Sequence, residues 1–203
     1  MITLIDYGAG NLHSLQGALT RLGFASQRAT TPAEAAESGT LILPGVGHFT
    51  AARDTLVERG WWPVLPGLAA AGRPLVGICL GQQLLAEASE ESPGAPGLGL
   101  LRGTSRMLGP GVKVPNMGWG KVRARTSHPA LAGFQEDWLY FVHSFAMDVD
   151  GETVLEAAHG RPFAAMQARG RVVGFQGHPE KSGPFGESLL RGVLAWLGEV
   201  PCA

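Results

Sequence analysis

Three short segments of the chain are almost wholly apolar, and each runs into a turn followed by sequence with helical spacing. They are 2–6, 41–43 and 74–78. A strand without alternating polar residues is buried on both faces, which is typical of a parallel sheet covered by helices. The alternation of such strands with helices over the first 90 residues therefore predicts an α/β domain with a mostly parallel central sheet.

Helical spacing recurs between these strands and near the end of the chain. Leucines at steps of three or four lie on one face of a predicted helix. They are Leu12, Leu15, Leu19 and Leu22. Further helices are predicted over 51–71, with a break at Pro63 and Pro66, over 80–88, and over 184–198.

The second half of the chain has shorter strand signals, separated by glycine and proline turns. They cover 98–108, 121–125, 138–145, 153–158, 163–168 and 171–176. The tetrapeptide 168–171 joins the last two segments as a hairpin. No repeat, linker or shift in composition divides the chain, so a single domain over 1–203 is expected.

Composition excludes several classes of function. The chain is 45% hydrophobic and 16% charged, as in ordinary globular proteins, and its net charge of −1 offers no basic surface for nucleic acid or membrane. No segment approaches the roughly 18 consecutive apolar residues of a membrane-spanning helix. The first apolar segment lacks the preceding basic residues of a signal peptide, so a cytoplasmic protein is expected.

Cysteine is scarce, with Cys79 and Cys202 the two in the chain. Cys202 is the penultimate residue and is expected to be a surface thiol, and a disulfide between the two stays open. Cys79 is a candidate nucleophile, with a buried structural cysteine as the alternative. No pair of histidines has the spacing of zinc ligands, so neither a metal nor another cofactor is expected.

Cys79 stands between two glycines, in the sequence Gly77-Ile78-Cys79-Leu80-Gly81. This spacing, between a strand and a helix, is typical of a nucleophile elbow, whose glycines avoid collisions with the neighbouring strand and helix. The turn would expose the thiol at the carboxyl edge of the sheet. It would also place the thiol at a helix N-terminus, whose partial positive charge favours the thiolate.

His178 and Glu180 follow the last apolar strand signal, with Pro179 between them. In an extended segment, residues two apart point to the same side, so the two side chains would share one face. A carboxylate beside an imidazole orients the ring and stabilises the imidazolium that forms when it takes a thiol proton. An isolated pair of this kind would be interpreted as a surface pair. Together with Cys79, it predicts a catalytic triad.

A glycine-rich loop, Pro44-Gly45-Val46-Gly47, ends the second apolar strand. Beside the elbow, such a loop can direct a backbone N–H at a developing oxyanion, and the N–H of Leu80 would be the second donor. Most loops of this composition are simple turns, so the loop supports the triad without establishing it.

Two segments, 77–83 and 176–180, resemble the signatures of class I (triad) glutamine amidotransferases. Within that family, five further motifs resemble the glutaminase subunit of imidazole glycerol phosphate synthase. They are Asp6-Tyr7-Gly8-Ala9-Gly10-Asn11, Pro44-Gly45-Val46-Gly47, Pro115-Asn116-Met117-Gly118-Trp119, Tyr140-Phe141-Val142-His143-Ser144 and Pro179-Glu180-Lys181-Ser182. The motifs are distributed from end to end, so the resemblance covers essentially the whole chain.

The resemblance implies a three-layer fold, with a central mostly parallel sheet, flanking helices and a smaller antiparallel sheet. It implies that Cys79 attacks the side-chain amide of glutamine, with His178 as base and Glu180 orienting the histidine. Gly47 and Leu80 would supply the N–H groups of the oxyanion hole.

The resemblance also implies roles in binding. Gln83 and the backbone of Ser144 and Phe145 would hold the two ends of glutamine. A (β/α)8-barrel cyclase subunit would be the heterodimer partner and would consume the ammonia in histidine biosynthesis. The residues expected to face that partner are Asn11, Trp119 and Lys181.

Two other functions are compatible with these residues. One is a free-standing hydrolase on the same elbow, such as a γ-glutamyl peptidase or the glutaminase of vitamin B6 synthesis, but the partner-facing motifs argue against it. The other is a non-catalytic glutamine-sensing or scaffold module, against which the intact triad argues. His143 lies on an apolar strand near the expected site and is interpreted as a core residue rather than a catalytic one.

Overall fold

The computed structural model describes residues 1–36, 38–131 and 133–202. Strands and helices alternate in the first half, in the order β1 (Ile2–Ile5), α1 (Leu12–Arg21), β2 (Ser26–Ala29), β3 (Leu41–Leu43), α2 (Phe49–Glu58), α3 (Leu65–Ala70), β4 (Leu75–Ile78) and α4 (Leu80–Leu85). Among the described residues, no helix is both long and apolar enough to cross a membrane.

The second half consists mainly of strands and closes with a helix. The order is β5 (Ala88–Ser89), β6 (Thr104–Met107), β7 (Asn116–Ala124), β8 (Glu136–His143), β9 (Phe145–Met147), β10 (Thr153–His159), β11 (Arg161–Arg169), β12 (Val172–Phe175) and α5 (Gly183–Trp196). The predicted break in the helical segment 51–71 is confirmed by the separation of α2 from α3, and the closing helix is confirmed within two residues at each end.

Nine strands form one large sheet in the order β2-β1-β3-β4-β12-β11-β10-β7-β8. The strands from β2 to β12 in this order are parallel, and those from β11 to β8 are added antiparallel. A small second sheet holds β5, β6 and β9. The α/β fold is thus confirmed. The predicted hairpin at 168–171 joins β11 to β12 within the large sheet. The smaller sheet was expected to be antiparallel, but it is mixed, because β5 and β6 are parallel and β6 and β9 are antiparallel.

Helices cover both faces of the parallel half of the sheet. Ile2 and Leu4 pack with Leu15 of α1 and with residues of α5, whereas Ile5 packs with Phe49 of α2 and with residues of α3 and α4. Alternate residues of a strand point to opposite faces, so the sheet is the middle of three layers. All four residues of β1 are buried, which explains why its sequence does not alternate.

Two predicted elements next to the elbow are shorter than expected. The helix predicted over 80–88 ends at Leu85, and the strand predicted over 98–108 is reduced to Thr104–Met107. Both corrections have one cause. Backbone N–H groups of 98–101 donate to the last carbonyls of α4 at 2.8–2.9 Å. That segment therefore supplies hydrogen bonds to the free carbonyls at the C-terminus of the helix instead of joining a sheet.

Two predicted strands of the second half differ in their boundaries. The strand expected over 121–125 begins five residues earlier, at Asn116, and the one expected over 138–145 is divided at Ser144 between β8 and β9. Glycines 118 and 120 interrupt the sequence pattern of β7. In the structure the long ladder between β7 and β8, which starts at the Asn116–His143 pair, holds this region extended.

Candidate active site

Cys79 joins β4 to α4 in a sharp turn. Its φ of +57° makes it the one non-glycine residue with positive φ in the described parts of the chain, and its ψ is −111°. This conformation is strained for a residue with a side chain, and such strain concentrates at functional sites. Cys79 is also the N-cap residue of α4, so the geometry is that of the predicted elbow.

Close packing requires the glycines on either side of Cys79. A Cβ atom on Gly77 would lie 2.7 Å from the backbone of Gly81. A Cβ atom on Gly81 would collide with the carbonyl oxygen of Leu43 on β3. Backbone atoms cannot move aside as the end of a flexible side chain can, so the elbow packs in this way only with glycine at both positions.

His178 and Glu180 lie in the segment that follows β12, and β12 is the parallel neighbour of β4. Cys79 and the 178–180 segment therefore leave the sheet at the same edge. The His178 N–H donates to the carbonyl of Tyr140 at 2.9 Å, and the Ser182 hydroxyl donates to the His178 carbonyl at 2.6 Å. These bonds fix the backbone from which the histidine projects.

The surroundings of His178 favour its charged form. Burial alone would lower the pKa of His178, but the Cys79 thiolate and the Glu180 carboxylate outweigh it and raise the pKa to about 9. Nδ1 lies 2.9 Å from Oε1 of Glu180. Nε2 is buried and makes no hydrogen bond to the residues that the structure describes. Nε2 is therefore the nitrogen that can exchange a proton with the thiol.

A cavity of about 270 Å³ opens beside Cys79. It is close to the lower end of the range for small-molecule sites, about 300–1,000 Å³. Residues proposed from the sequence as nucleophile, oxyanion donors and substrate contacts line it together. They are Gly47, Cys79, Leu80, Gln83, Ser144 and Phe145.

Gln83 uses both of its N–H groups within the protein. Its Nε2 atom donates to the Phe145 carbonyl at 2.9 Å and to Oε1 of Gln176 at 3.1 Å. The Phe145 carbonyl also accepts from Nδ1 of His143 at 3.0 Å. The side-chain oxygen of Gln83 is thus the atom left for a ligand, and it can only accept a hydrogen bond.

The glycine-rich loop 44–47 packs against the start of α4. A Cβ atom on Gly45 would lie 2.8 Å from the backbone of α4, and the Tyr7 hydroxyl donates to the Pro44 carbonyl at 3.0 Å. Gly47 has φ +95°, which favours glycine. The Leu80 N–H belongs to the first turn of α4, where N–H groups have no acceptor within the helix. Both expected oxyanion donors therefore lie at the cavity.

The three residues expected to face a partner lie around the 178–180 segment. Asn11 lines a second, much smaller cavity together with His178 and Glu180, and Lys181 follows directly in the chain. Trp119 is 56% exposed, and its ring stands edge-on to Tyr140 with centroids 6.1 Å apart. The Tyr140 ring lies 6.5 Å from that of His178, so Trp119 is two ring contacts from the histidine.

His143 lines the cavity but is held neutral. It is buried, its Nε2 lies 3.1 Å from Nδ2 of Asn116, and its Nδ1 donates to Phe145. Burial is the main cause that lowers the pKa of His143, to about 4. Both ring nitrogens are occupied, which agrees with the interpretation of His143 as a core residue.

Two residues at the site had no role assigned from the sequence. Glu91 places a carboxylate in the wall of the cavity, and its Oε2 atom accepts from the Phe49 N–H at 2.7 Å. Gln176 is fully buried, with Nε2 3.8 Å from Sγ of Cys79. Gln176 lies in the motif 176–180, which resembles a family signature, so the sequence contained a signal for it. Glu91 lies in a polar stretch that is typical of an exposed loop, so the sequence contained none.

The sequence profile of the family described as "Glutamine amidotransferase class-I" matches residues 3–195. The chain therefore belongs to the class I glutamine amidotransferases, as the elbow, the histidine–carboxylate pair and the three-layer fold indicate. Within this family it is similar over nearly its whole length to proteins named imidazole glycerol phosphate synthase subunit HisH. The resemblance carried by the sequence motifs is thereby confirmed.

Two of these relatives show the extent of the similarity. The protein of Desulfitobacterium hafniense is 41% identical over 202 residues, covering 98% of this chain and 96% of its own length. The protein of Methanopyrus kandleri is 43% identical over 196 residues, covering 95% of this chain and 96% of its own.

Solved structures agree on the fold. A crystal structure described as a glutamine amidotransferase superimposes with a TM-score of 0.78 at 21% identity, covering 97% of this chain and 98% of that one. The PurLQS structure from Thermotoga maritima gives a TM-score of 0.73 at 20% identity, covering 97% and 98%. At such identities the likeness concerns the fold alone.

Proposed function

We propose that the chain hydrolyses glutamine to glutamate and ammonia through a thioester on Cys79. We also propose that the ammonia passes to a cyclase subunit, which makes imidazole glycerol phosphate and an aminoimidazole carboxamide ribonucleotide. The observation that carries the chemistry is that Cys79 and the His178–Glu180 pair lie at one edge of the sheet, with Cys79 in the lining of a cavity. The names of the relatives support the partner.

The first half of the reaction releases ammonia. Nε2 of His178 takes the thiol proton, and the Cys79 sulfur attacks the carbonyl carbon of the glutamine side-chain amide. The oxyanion accepts hydrogen bonds from the N–H groups of Leu80 and Gly47, each worth about 3–4 kcal/mol of transition-state stabilisation. The His178 imidazolium then protonates the nitrogen, the C–N bond breaks, and ammonia leaves a γ-glutamyl thioester on the sulfur.

The second half restores the enzyme. His178 deprotonates a water molecule, which attacks the thioester carbon. The C–S bond breaks, glutamate leaves, and the thiolate recovers its proton from the imidazolium. Glu180 holds the ring in one orientation and stabilises its charge in both halves, which is the usual role of the third member of a triad.

The lining of the cavity suits the two ends of glutamine. The side-chain oxygen of Gln83 and the carboxylate of Glu91 are acceptors, so they would hold the α-ammonium group. Backbone N–H groups of Ser144 and Phe145 would hold the α-carboxylate. The Phe145 carbonyl is already occupied by two donors, which leaves its N–H as the ligand contact.

The exposed residues near the triad suit a partner surface. Val46, Met117 and Trp119 are 47%, 65% and 56% exposed, respectively. Large apolar side chains of this kind at one region typically mark protein contacts. Together with Asn11 and Lys181, they would form the surface that binds the barrel cyclase, next to the 178–180 segment.

The experiment is glutamate formation from glutamine by the chain alone, and then with a purified barrel cyclase and its nucleotide ligand. We expect strong stimulation by the cyclase and loss of all activity in Cys79→Ala. Equal activity with and without the cyclase would make the protein a free-standing hydrolase. No activity under either condition, with several cyclases tried, would leave a non-catalytic module.

A further inference from the structure

Gln176 lies directly behind the nucleophile and takes no part in the triad. Its side chain is fully buried, and a buried amide needs partners for both ends. The Nε2 atom lies 3.8 Å from Sγ of Cys79, within reach of an N–H···S hydrogen bond. The Oε1 atom accepts from Nε2 of Gln83 at 3.1 Å.

The orientation of both amides follows from a single backbone group. The Phe145 carbonyl can only accept, so the amide of Gln83 must present nitrogen to it. The second N–H on that nitrogen faces Gln176, which must then present its oxygen. The nitrogen of Gln176 is therefore the end that faces the sulfur. Three contacts in series fix a donor at Cys79.

Besides the His178 imidazolium, which pairs with the charged sulfur, Sγ has one contact that suits the thiol and one that suits the thiolate. The thiol can donate to the Val142 carbonyl, which lies 3.7 Å from Sγ. After the proton leaves, that carbonyl repels the negative sulfur, whereas the Gln176 N–H attracts it. A hydrogen bond made to the charged form favours that form. The Gln176 contact therefore acts in the direction that nucleophilic attack requires.

We infer that Gln176 stabilises the Cys79 thiolate through an N–H···S hydrogen bond whose direction Gln83 sets. This inference rests on the proposed function and adds a residue to its chemistry. It also links substrate binding to the nucleophile, because the Gln83 amide that orients Gln176 presents its free oxygen to the cavity.

The test is the rate of Cys79 alkylation by iodoacetamide, measured over a pH series in a Cys202→Ser background. Gln176→Met keeps the length and burial of the side chain but removes the donor. We expect alkylation at neutral pH to slow about tenfold, because a hydrogen bond to a charged group is lost. The midpoint of the alkylation–pH profile should move to higher pH. Gln176→Glu places an oxygen at the sulfur and should slow alkylation at least as much.

The matched control is Gln82→Met, one residue from Gln83. Gln82 is also fully buried, and its Nε2 donates to Gln167 at 3.2 Å and to the Gly174 carbonyl at 3.4 Å, away from the sulfur. This variant should alkylate at the parent rate although it also loses buried hydrogen bonds. Circular dichroism on each variant identifies any that fail to fold. If Gln176→Met does not fold, Gln176→Glu, which is nearly isosteric with the parent side chain, provides the test.

The outcomes separate this inference from the proposed function. If Gln176→Met alkylates at the parent rate while the parent chain hydrolyses glutamine, the inference is wrong and the function stands. If the parent chain hydrolyses no glutamine either alone or with the cyclase but Gln176→Met still slows alkylation, the function fails and the thiolate contact stands. Equal slowing in Gln82→Met would reduce the effect to general destabilisation and overturn the inference.

Discussion

The Nδ1 atom of His178 lies 2.9 Å from Oε1 of Glu180, with Pro179 alone between the two residues in the chain. The sequence pattern predicted this contact on the assumption of an extended segment. The structure instead turns Pro179–Lys181 into one turn of 3-10 helix. The Ser182 hydroxyl closes the turn on the His178 carbonyl, so local hydrogen bonding, rather than strand alternation, brings the pair together.

Glu180, after Cys79, is expected to contribute to the alkaline limit of activity, because both raise the pKa of His178. The raised pKa of His178, about 9, keeps the imidazolium that would protonate the leaving ammonia in the proposed mechanism. Glutamine hydrolysis should therefore decline as the pH rises through about 9. Glu180→Gln keeps the shape and removes the charge. Its kcat/KM should fall by about two to four orders of magnitude, with the alkaline limb displaced to lower pH. A full pH profile of both proteins is the measurement.

The same shift affects stability, and its sign can be worked out. The folded pKa of His178 is raised above the unfolded value of about 6.5. The resulting stabilisation is complete below the unfolded pKa and is lost as the pH rises through the folded one. The stability advantage of the parent over Glu180→Gln should shrink over that window in urea titrations. An advantage that grows there would contradict the assigned charges.

Backbone strain at Cys79 should make a glycine variant at this position more stable than an alanine variant. A residue held at a φ of +57° with ψ −111° is strained by its Cβ atom, and glycine is not. Cys79→Gly should be more stable than Cys79→Ala by about 1 kcal/mol, which is the strain less the entropy cost of glycine. Both variants should be inactive. Urea midpoints with unchanged m-values would measure the difference, and an alanine variant as stable as the glycine one would show that the turn is unstrained.

The degree to which the sequence predicts the fold depends on burial. β1, β3 and β4 are buried at every position, so their apolar segments were recognisable. Strand β2 was not predicted, because it lies at the edge of the sheet and only Ala29 of its residues is buried. An edge strand bonded on one side tolerates polar residues on both faces, which removes the pattern that identifies a strand.

The candidate site shows the same limit. The elbow is local, so glycine spacing was enough to predict it. The thiolate contact of Gln176 depends on Gln83, which is 93 positions away, and the cavity position of Glu91 depends on how the chain returns past the elbow. No short pattern encodes such contacts. Only the tertiary arrangement shows that Gln83 has one free atom left for a ligand.

Glycine at position 81 is expected to contribute strongly to stability. Gly81→Ala would drive a Cβ atom into the Leu43 carbonyl on β3, and the neighbouring backbone cannot yield cheaply. We expect a loss of about 3 kcal/mol in the free energy of unfolding. The control is Gly67→Ala in α3, where an added Cβ meets nothing within 4 Å. That change should be neutral or stabilising by about 0.4–1 kcal/mol. A comparable loss in both variants would refute the packing explanation.

Trp119 is expected to contribute to partner binding more than to folding. Its ring is 56% exposed and touches Tyr140, which in turn lies beside His178. Trp119→Ala should weaken binding of the barrel cyclase about thirtyfold, since aromatic anchors at interfaces contribute about 2 kcal/mol or more. The thermal midpoint should change little. Isothermal titration calorimetry gives the affinity, and the cyclase concentration that half-saturates glutaminase stimulation should rise in parallel.

Trp138 provides the matched control for Trp119. It is 50% exposed on the neighbouring strand β8, where it pairs with Lys121. The ring contacts that lead to His178 run instead from Trp119 through Tyr140. Trp138→Ala should leave the affinity for the cyclase nearly unchanged. Equal weakening by both variants would mean that the docking surface covers the whole β7–β8 face. Unchanged binding in Trp119→Ala would move the partner surface elsewhere. The ring contacts from Trp119 through Tyr140 end at His178, the proposed base. Docking on Trp119 would therefore place the partner near the residue that protonates the leaving ammonia.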